Sequence, residues 1–342
     1  MPQITQIHTN FFHRLHTKIN LRVTICENLR NLWQKKVISC SHKIFPSIFF
    51  FLIFSCSQPS ENKKDEMPDT PTSGKLKVLC EEGFSLPMKQ QVYTFQELYA
   101  NAKVEVNYVN EKQAIEGLYN DCCKVILISR NLSENEIKKF KAANIYPKQT
   151  CIAKNAIAFV VSLSAKDSVF SMQKIKTLLN GADTMYNIVF DNENSGAAKF
   201  LKNSVLQGKP FGKNCFSVKN TQELIKEVAV KNVIGVMDYS WLSDKDETIT
   251  KEILAKIRPL AISIEEKKEG FYPDQSNIET RNYPFCRYVH IIRRSADFTL
   301  GTGFIAFVAG QKGQLMILKE GLVPAFRQER VIEVNTTPLG NQ

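Results

Sequence analysis

The sequence predicts an α/β fold built in two halves, and three observations carry that reading. Short apolar runs alternate with helix-period patterns from Leu76 onward, which argues for βαβ units and a parallel sheet. The run Val125–Ile128 (VILI) is continuously apolar, as a strand buried on both faces requires. The chain has 342 residues, 43% of them apolar, more than one domain of ~100–200 residues needs.

Taken in order, Leu76–Cys80 (LKVLC) is a strand. From Pro87, the residues Met88, Val92, Phe95 and Tyr99 recur at spacings that place them on one helix face. Val104–Val109 reads as a strand, Glu111–Tyr119 as a short helix and Val125–Ile128 as a third strand. Ser133 followed by Glu136 is a capping box that opens the next helix. The second stretch repeats the alternation. Ala156–Val161 is a strand, Ser171–Asn180 a helix closed by Gly181, Ile188–Phe190 a strand and Gly196–Leu206 a helix closed by Gly208. Thr221–Val230 is helical and Val233–Val236 extended. Arg258–Ser263 and Arg287–Arg293 are also extended, and apolar helical patterns run from Phe304 and from Gln314 to Gly321.

The N-terminal region reads as an address. Ile44–Phe54 (IFPSIFFFLIF) follows Lys35, Lys36 and Lys43, and Ser55-Cys56 follows it. A basic stretch, a short apolar core and a small residue before the cut make a signal peptide, and the core is too short to span a bilayer. Ile53-Phe54-Ser55-Cys56 resembles a lipobox, so Cys56 is expected to carry lipid and become the mature N-terminus, with 35–55 as the signal. Residues 1–34 stand outside that pattern, and translation is expected to start near Val37 at a non-AUG codon. Residues 56–75 are polar and rich in Pro and Ser, so they are expected to be a flexible tether of about 25 Å reach.

The formal charge is +11, of which residues 1–55 carry +6, leaving +5 beyond them. That is too little, and too dispersed, for a nucleic-acid binder, but it favours a small anion. Only His290 follows Cys56, and no Cys-x-x-Cys pair exists, so metal sites and cofactors are not expected. The cysteines read as buried thiols. No nucleophile elbow, Walker loop or dinucleotide fingerprint is present, so no catalytic residue is expected.

Three loops after strands are candidates for an anion site. Asp191 to Ala197 (DNENSGA) joins a strand to a helix, so Ser195, Gly196 and Ala197 place a hydroxyl and free backbone N–H groups at a helix N-terminus. The alternative is that Ser195 only caps the helix. Ser129-Arg130 follows a buried strand, where ligands of open α/β sheets bind, and Arg130 either holds an oxyanion or pairs with Glu134 or Glu136. Gly83, Phe84 and Ser85 precede the Pro87 helix, with Phe84 expected to shield the site; the alternative is an ordinary turn.

In this order the segments VILISRNLSENE, CIAKNAIAFVV, VFDNENSGAAKFL, VIGVMDYSWLSD, YPFCRYVHII and GFIAFVAGQKGQLMILKEGLVPA resemble the phosphate-binding proteins of ABC importers, in particular a lipoprotein branch from Bacteroidetes. The resemblance covers Leu76 to Arg330. It implies a type II periplasmic-binding-protein fold, with lobe 1 at 76–152 and 261–342, lobe 2 at 153–260, and crossings near Cys151–Ala156 and Arg258–Ala261. It implies ligand contacts from Gly83, Phe84, Ser85, Ser129, Arg130, Ser195, Gly196 and Ala197, with Asp191 beside them. Asp191 stands where the family places an Arg, and Ala197 where it places a Thr. The function implied is capture of phosphate or a similar oxyanion for an ABC permease, by a monomer lipid-anchored in the cell envelope and facing the periplasm or the cell surface. The departures keep open a scaffold lipoprotein that has lost or changed its ligand.

Overall fold

The computed structural model describes residues 68–266 and 268–326. The expected signal, Cys56 and most of the tether lie outside the described residues. The tether's end does not behave as expected. Asp69 accepts a hydrogen bond from the Leu300 N–H (2.8 Å) at the start of a C-terminal helix, and Thr70 and Ser73 close a turn that leads into the first strand. A carboxylate at a helix N-terminus is a stabilising cap, and it draws these polar residues onto the body.

The chain begins with β1 (Gly74–Glu81), a 3-10 turn (Glu82–Phe84), α1 (Ser85–Leu98), β2 (Ala102–Val109), α2 (Glu111–Tyr119), β3 (Val125–Ile128) and α3 (Glu134–Ala142). It continues through β4 (Lys148–Ser162), β5 (Val169–Ser171), α4 (Met172–Leu179), β6 (Asn187–Phe190), α5 (Gly196–Ser204), β7 (Cys215–Ser217), α6 (Thr221–Val230) and β8 (Val233–Asp238). Then come α7 (Ser240–Ser243), α8 (Thr248–Leu254), β9 (Ile257–Pro259), β10 (Ala261–Ser263), α9 (Gln275–Thr280), β11 (Cys286–Arg293), α10 (Leu300–Ala309), α11 (Gln311–Lys319) and β12 (Val323–Pro324). The capping box at α3 forms: the Ser133 hydroxyl accepts from the Glu136 N–H, and the Glu136 carboxylate accepts from the Ser133 N–H. Gly181, Gly208 and Gly321 all take positive φ after helices, where the left-handed turn suits a residue without Cβ.

The main sheet has the order β2-β1-β3-β11-β4-β8-β6-β7, with β9 and β12 also paired to β4. Pairing is parallel at both ends (β1 with β2 and β3, β6 with β7 and β8) and antiparallel around β11 and β4. β4 joins two half-sheets. Its residues up to Ala156 pair with β11, and from Ile157 it pairs with β8. The sequence read only its apolar second part, because the first part is half-buried and polar.

The apolar runs are explained by burial on two faces. Val125 and Leu127 face the main core, while Ile126 and Ile128 face a smaller cluster with Leu118, Phe140 and Ile292. The chain passes from one half-sheet to the other along β4, at Ala156–Ile157. β10 pairs with β5, and β11 returns to the first half-sheet at Cys286, opposite Ala156.

Among the described residues no disulfide forms, and Cys122 is exposed where a buried thiol was expected. The His290 ring bonds the Tyr288 carbonyl at 3.1 Å, and burial lowers its pKa. Among the described residues no helix is long and apolar enough to cross a membrane.

Candidate functional site

The loops at the carboxyl ends of β1, β6 and β8 converge on one cleft at the step between the half-sheets. Glu81, Gly83, Asn110, Asp191, Ser195, Ala197, Asp238 and Arg287 line it. Gly83 and Gly196 are glycines because the walls meet there. A Cβ on Gly83 would lie 2.7 Å from Asp238 Oδ2, and one on Gly196 2.2 Å from Glu81 Oε1. The space left is about 10 Å³, enough for about one water.

Arg287 sits at the centre. It comes from β11 and shares a strand face with Val289 and Ile291. Its side chain is 2% exposed. Nη2 donates to Asp238, and Nη1 stands 3.7 Å from Glu81 Oε1. Asp238 also accepts from Asn155 of β4 and from the Ser240 N–H. Glu81 accepts from the Ser129 N–H at 2.9 Å. Burial opposes the charge of Arg287, but Asp238 and then Glu81 outweigh it and its pKa rises. Burial raises the pKa of Glu81 against the pull of Arg287. Asp191 is pushed up to about 7, first by burial, with Ser195 acting the other way and the charges of Glu82, Asp238 and Glu81 adding to the rise.

The expected residues fall into three groups. Gly83, Asp191, Ser195 and Ala197 line the cleft, and Gly196 packs on Glu81 and Arg287 within it. Ser195 is the N-cap of α5, its hydroxyl accepting from the Ala198 N–H at 3.2 Å. The N–H groups of Gly196 and Ala197 have no partner within the helix. Ser85 opens α1 and Ser129 follows β3; both are buried with hydroxyls that lack a hydrogen-bond partner. Two expected residues lie outside the lining. The Phe84 ring is in the main core, where a fully buried aromatic gains contact. Arg130 is committed elsewhere. It forms a fork on Glu136 (2.8 and 2.9 Å) and reaches Glu111 (2.8 Å), which also binds Lys199 of α5 at 3.0 Å.

The unsatisfied atoms define what the cleft can do. Among the lining residues, Arg287 Nε is a buried donor without a partner and Asp191 Oδ1 a buried acceptor without one; Ser129 Oγ, also unpartnered, lies outside the lining, on the residue whose N–H holds Glu81. Such atoms carry a desolvation cost until something pairs with them. Sequence reasoning missed Arg287, Asp238 and Glu81 as site residues. The available signal was a charge in period two with Val289 and Ile291, since an Arg on an apolar strand face requires a buried partner.

The chain matches the model of a PBP superfamily domain over residues 66–312. It is 20% identical over 255 residues to the phosphate-binding protein PstS of Borreliella burgdorferi, covering 69% of this chain and 85% of that one. A Clostridium perfringens protein assigned as a phosphate ABC transporter substrate-binding protein, solved with phosphate bound, superposes with a TM-score of 0.62. Its identity is 17%, and the match covers 74% of this chain and all of that one. An ABC-type phosphate transport receptor from Vibrio cholerae gives 0.57 at 15% identity, over 73% of this chain and all of that one. The fold is thus the two-lobed one of periplasmic binding proteins, and the chain belongs to the PBP superfamily.

Proposed function

We propose that the chain is a solute-binding protein that captures a protonated oxyanion, phosphate, in the cleft between its half-sheets for delivery to an ABC permease, by binding and not by catalysis. The observation that carries this is a set of buried, unpartnered atoms: a donor on Arg287 in the lining, a donor on Ser129, joined to the lining through its N–H bond to Glu81, and an acceptor on Asp191 in the lining. Hydrogen phosphate offers acceptors to the first two and a donor to the third. The names of the relatives point the same way. The start of α5 adds two backbone donors and a positive helix end. Lobe 1 is then 76–152 with the chain from Cys286 on, and lobe 2 the chain between. The lobes must part to admit the anion, since about one water fits as they stand. Ser129→Ala is the clean test, because its hydroxyl makes no bond in this structure. One donor is worth about 0.5–1.5 kcal/mol, so phosphate should bind roughly two- to tenfold more weakly with thermal stability unchanged. Equal phosphate affinity in Ser129→Ala would remove that residue from the site.

A second reading has one specific observation behind it. Four carboxyl groups, on Glu81, Glu82, Asp191 and Asp238, line the cleft with one arginine, which favours a scaffold that lost its anion or took a different ligand. No heat with phosphate, sulfate or molybdate in titration would establish that reading. Anchoring through Cys56 belongs to the same proposal. Cys56→Ala should release the protein from the membrane or leave its precursor uncut.

A further inference from the structure

A second cavity, of about 80 Å³, opens between the start of α1, the α7 helix and the end of α11. It is separate from the cleft, although Ser240 in its wall bonds the Gly83 carbonyl. Glu320, at the C-terminal end of α11, lines it with 7% of its surface exposed, and its Oε2 has no hydrogen-bond partner. Asp244 and Glu247 line the same cavity. Burial, and then the charges of those two residues, push the Glu320 carboxyl up to about 8. The one cationic residue in the lining is Lys89, and its ammonium lies over the Tyr108 ring on β2, 5.8 Å from the centroid.

A buried carboxyl without a partner under two further negative charges calls for a ligand that brings positive charge and a hydrogen-bond donor together. A metal ion is the poorer fit, since among the described residues no group of three His, Cys, Asp or Glu is placed to hold one. Leu86, Pro87 and Ile249 give the wall an apolar side, and Gln90, Ser240 and Ser243 a neutral polar one. An ammonium group with a short aliphatic body meets the carboxyl and apolar parts of that lining. We propose that this cavity is a second ligand site, for a short primary alkylammonium compound whose nitrogen pairs with Glu320 under the field of Asp244 and Glu247 and whose chain lies on Leu86, Pro87 and Ile249.

The test is calorimetric titration of the full chain with n-propylammonium chloride at constant ionic strength in an amine-free buffer, with potassium and magnesium chlorides in parallel. The expected result is saturable binding of one equivalent of the amine, with proton release at pH 7 as Glu320 ionises to meet it. Glu320→Gln should weaken binding at least tenfold and suppress the proton release, while phosphate affinity stays as in the parent. Glu247→Gln lies at the rim and should weaken amine binding severalfold, which keeps the test open if Glu320→Gln fails to fold. The proposal is overturned by the absence of saturable binding, by equal amine affinity in a folded Glu320→Gln variant, or by potassium or magnesium binding as tightly as the amine.

Discussion

Arg130 and Arg287 each face two carboxylates, but the side chain of Arg130 is 35% exposed and that of Arg287 only 2%. Around Arg130, water reaches the guanidinium and Glu136 and weakens that pair, while Glu111, buried beneath them, has Lys199 as a second cation. Arg287 is shut off from bulk solvent, and Asp238 and Glu81 depend on it. The same chemistry is thus a surface latch at one position and the keystone of the cleft at the other. The difference also separates what reads from sequence. Arg130 stands after an apolar run, where ligand loops are expected; Arg287 stands inside a strand, where they are not.

The largest effect expected from that contrast is on stability. Arg287→Ala leaves Asp238 and Glu81 buried without their cation, and breaking such a pair costs about 3–5 kcal/mol. Urea unfolding should show that loss, and adding Asp238→Asn should recover part of it. A loss below about 2 kcal/mol would place Arg287 in the same class as Arg130.

Asp191 tests the burial side of the comparison. Its folded pKa, about 7, lies above the unfolded value of about 3.9. From pH 4 to 7 the native state therefore keeps a proton that the unfolded state has lost, and stability falls as pH rises through that window. Asp191→Asn should remove the decline and be more stable than the parent by about 2–4 kcal/mol at pH 8. Parallel pH profiles for the two proteins would mean that the carboxyl is hydrated.

The smallest effect belongs to Arg130. Arg130→Ala should cost about 1–2 kcal/mol at pH 7, since Glu136 loses its fork while buried Glu111 keeps Lys199. Its signature is the acid limb. Burial would raise the Glu136 pKa, but the Arg130 fork and the Ser133 N–H together hold it at about 2. The stability this brings is present above the unfolded carboxyl value of about 4.3 and is lost as pH falls toward 2. In Arg130→Ala most of that acid dependence should vanish. Phosphate affinity should change less than about threefold. A ten- to hundredfold loss would instead show Arg130 reaching the anion through a charge-assisted bond of about 1.5–3 kcal/mol.

Much of the fold was legible because its signals are local. VILI announces a two-faced strand, the Ser133 capping box forms as read, and the α1 stripe of Met88, Val92 and Phe95 is buried. The full length of β4 was not legible, since its polar first part is stabilised by β11, which lies more than a hundred residues away in sequence. The pairing of Arg258–Ser263 was not legible for the same reason: the segment reads as extended, but Ala261–Ser263 joins β5, far away in sequence. In the candidate site, helix-start chemistry pointed to Ser195, Gly196 and the neighbouring Asp191. The network of Glu81, Asp238 and Arg287 is assembled from three distant segments by tertiary folding, and no spacing rule connects them.

In the proposed function, the cleft reads a proton on its anion through Asp191. Calorimetric titration of phosphate and sulfate into the parent and Asp191→Asn, at pH 6 and pH 8, tests it directly. At pH 8 Asp191 is mostly ionised and accepts from hydrogen phosphate, while sulfate meets a buried negative charge with nothing to donate to it. At pH 6 the protonated carboxyl donates to either anion. The parent should prefer phosphate, this preference should grow from pH 6 to pH 8, and Asp191→Asn should flatten it. Equal phosphate and sulfate affinities in the parent at both pH values would contradict that reading.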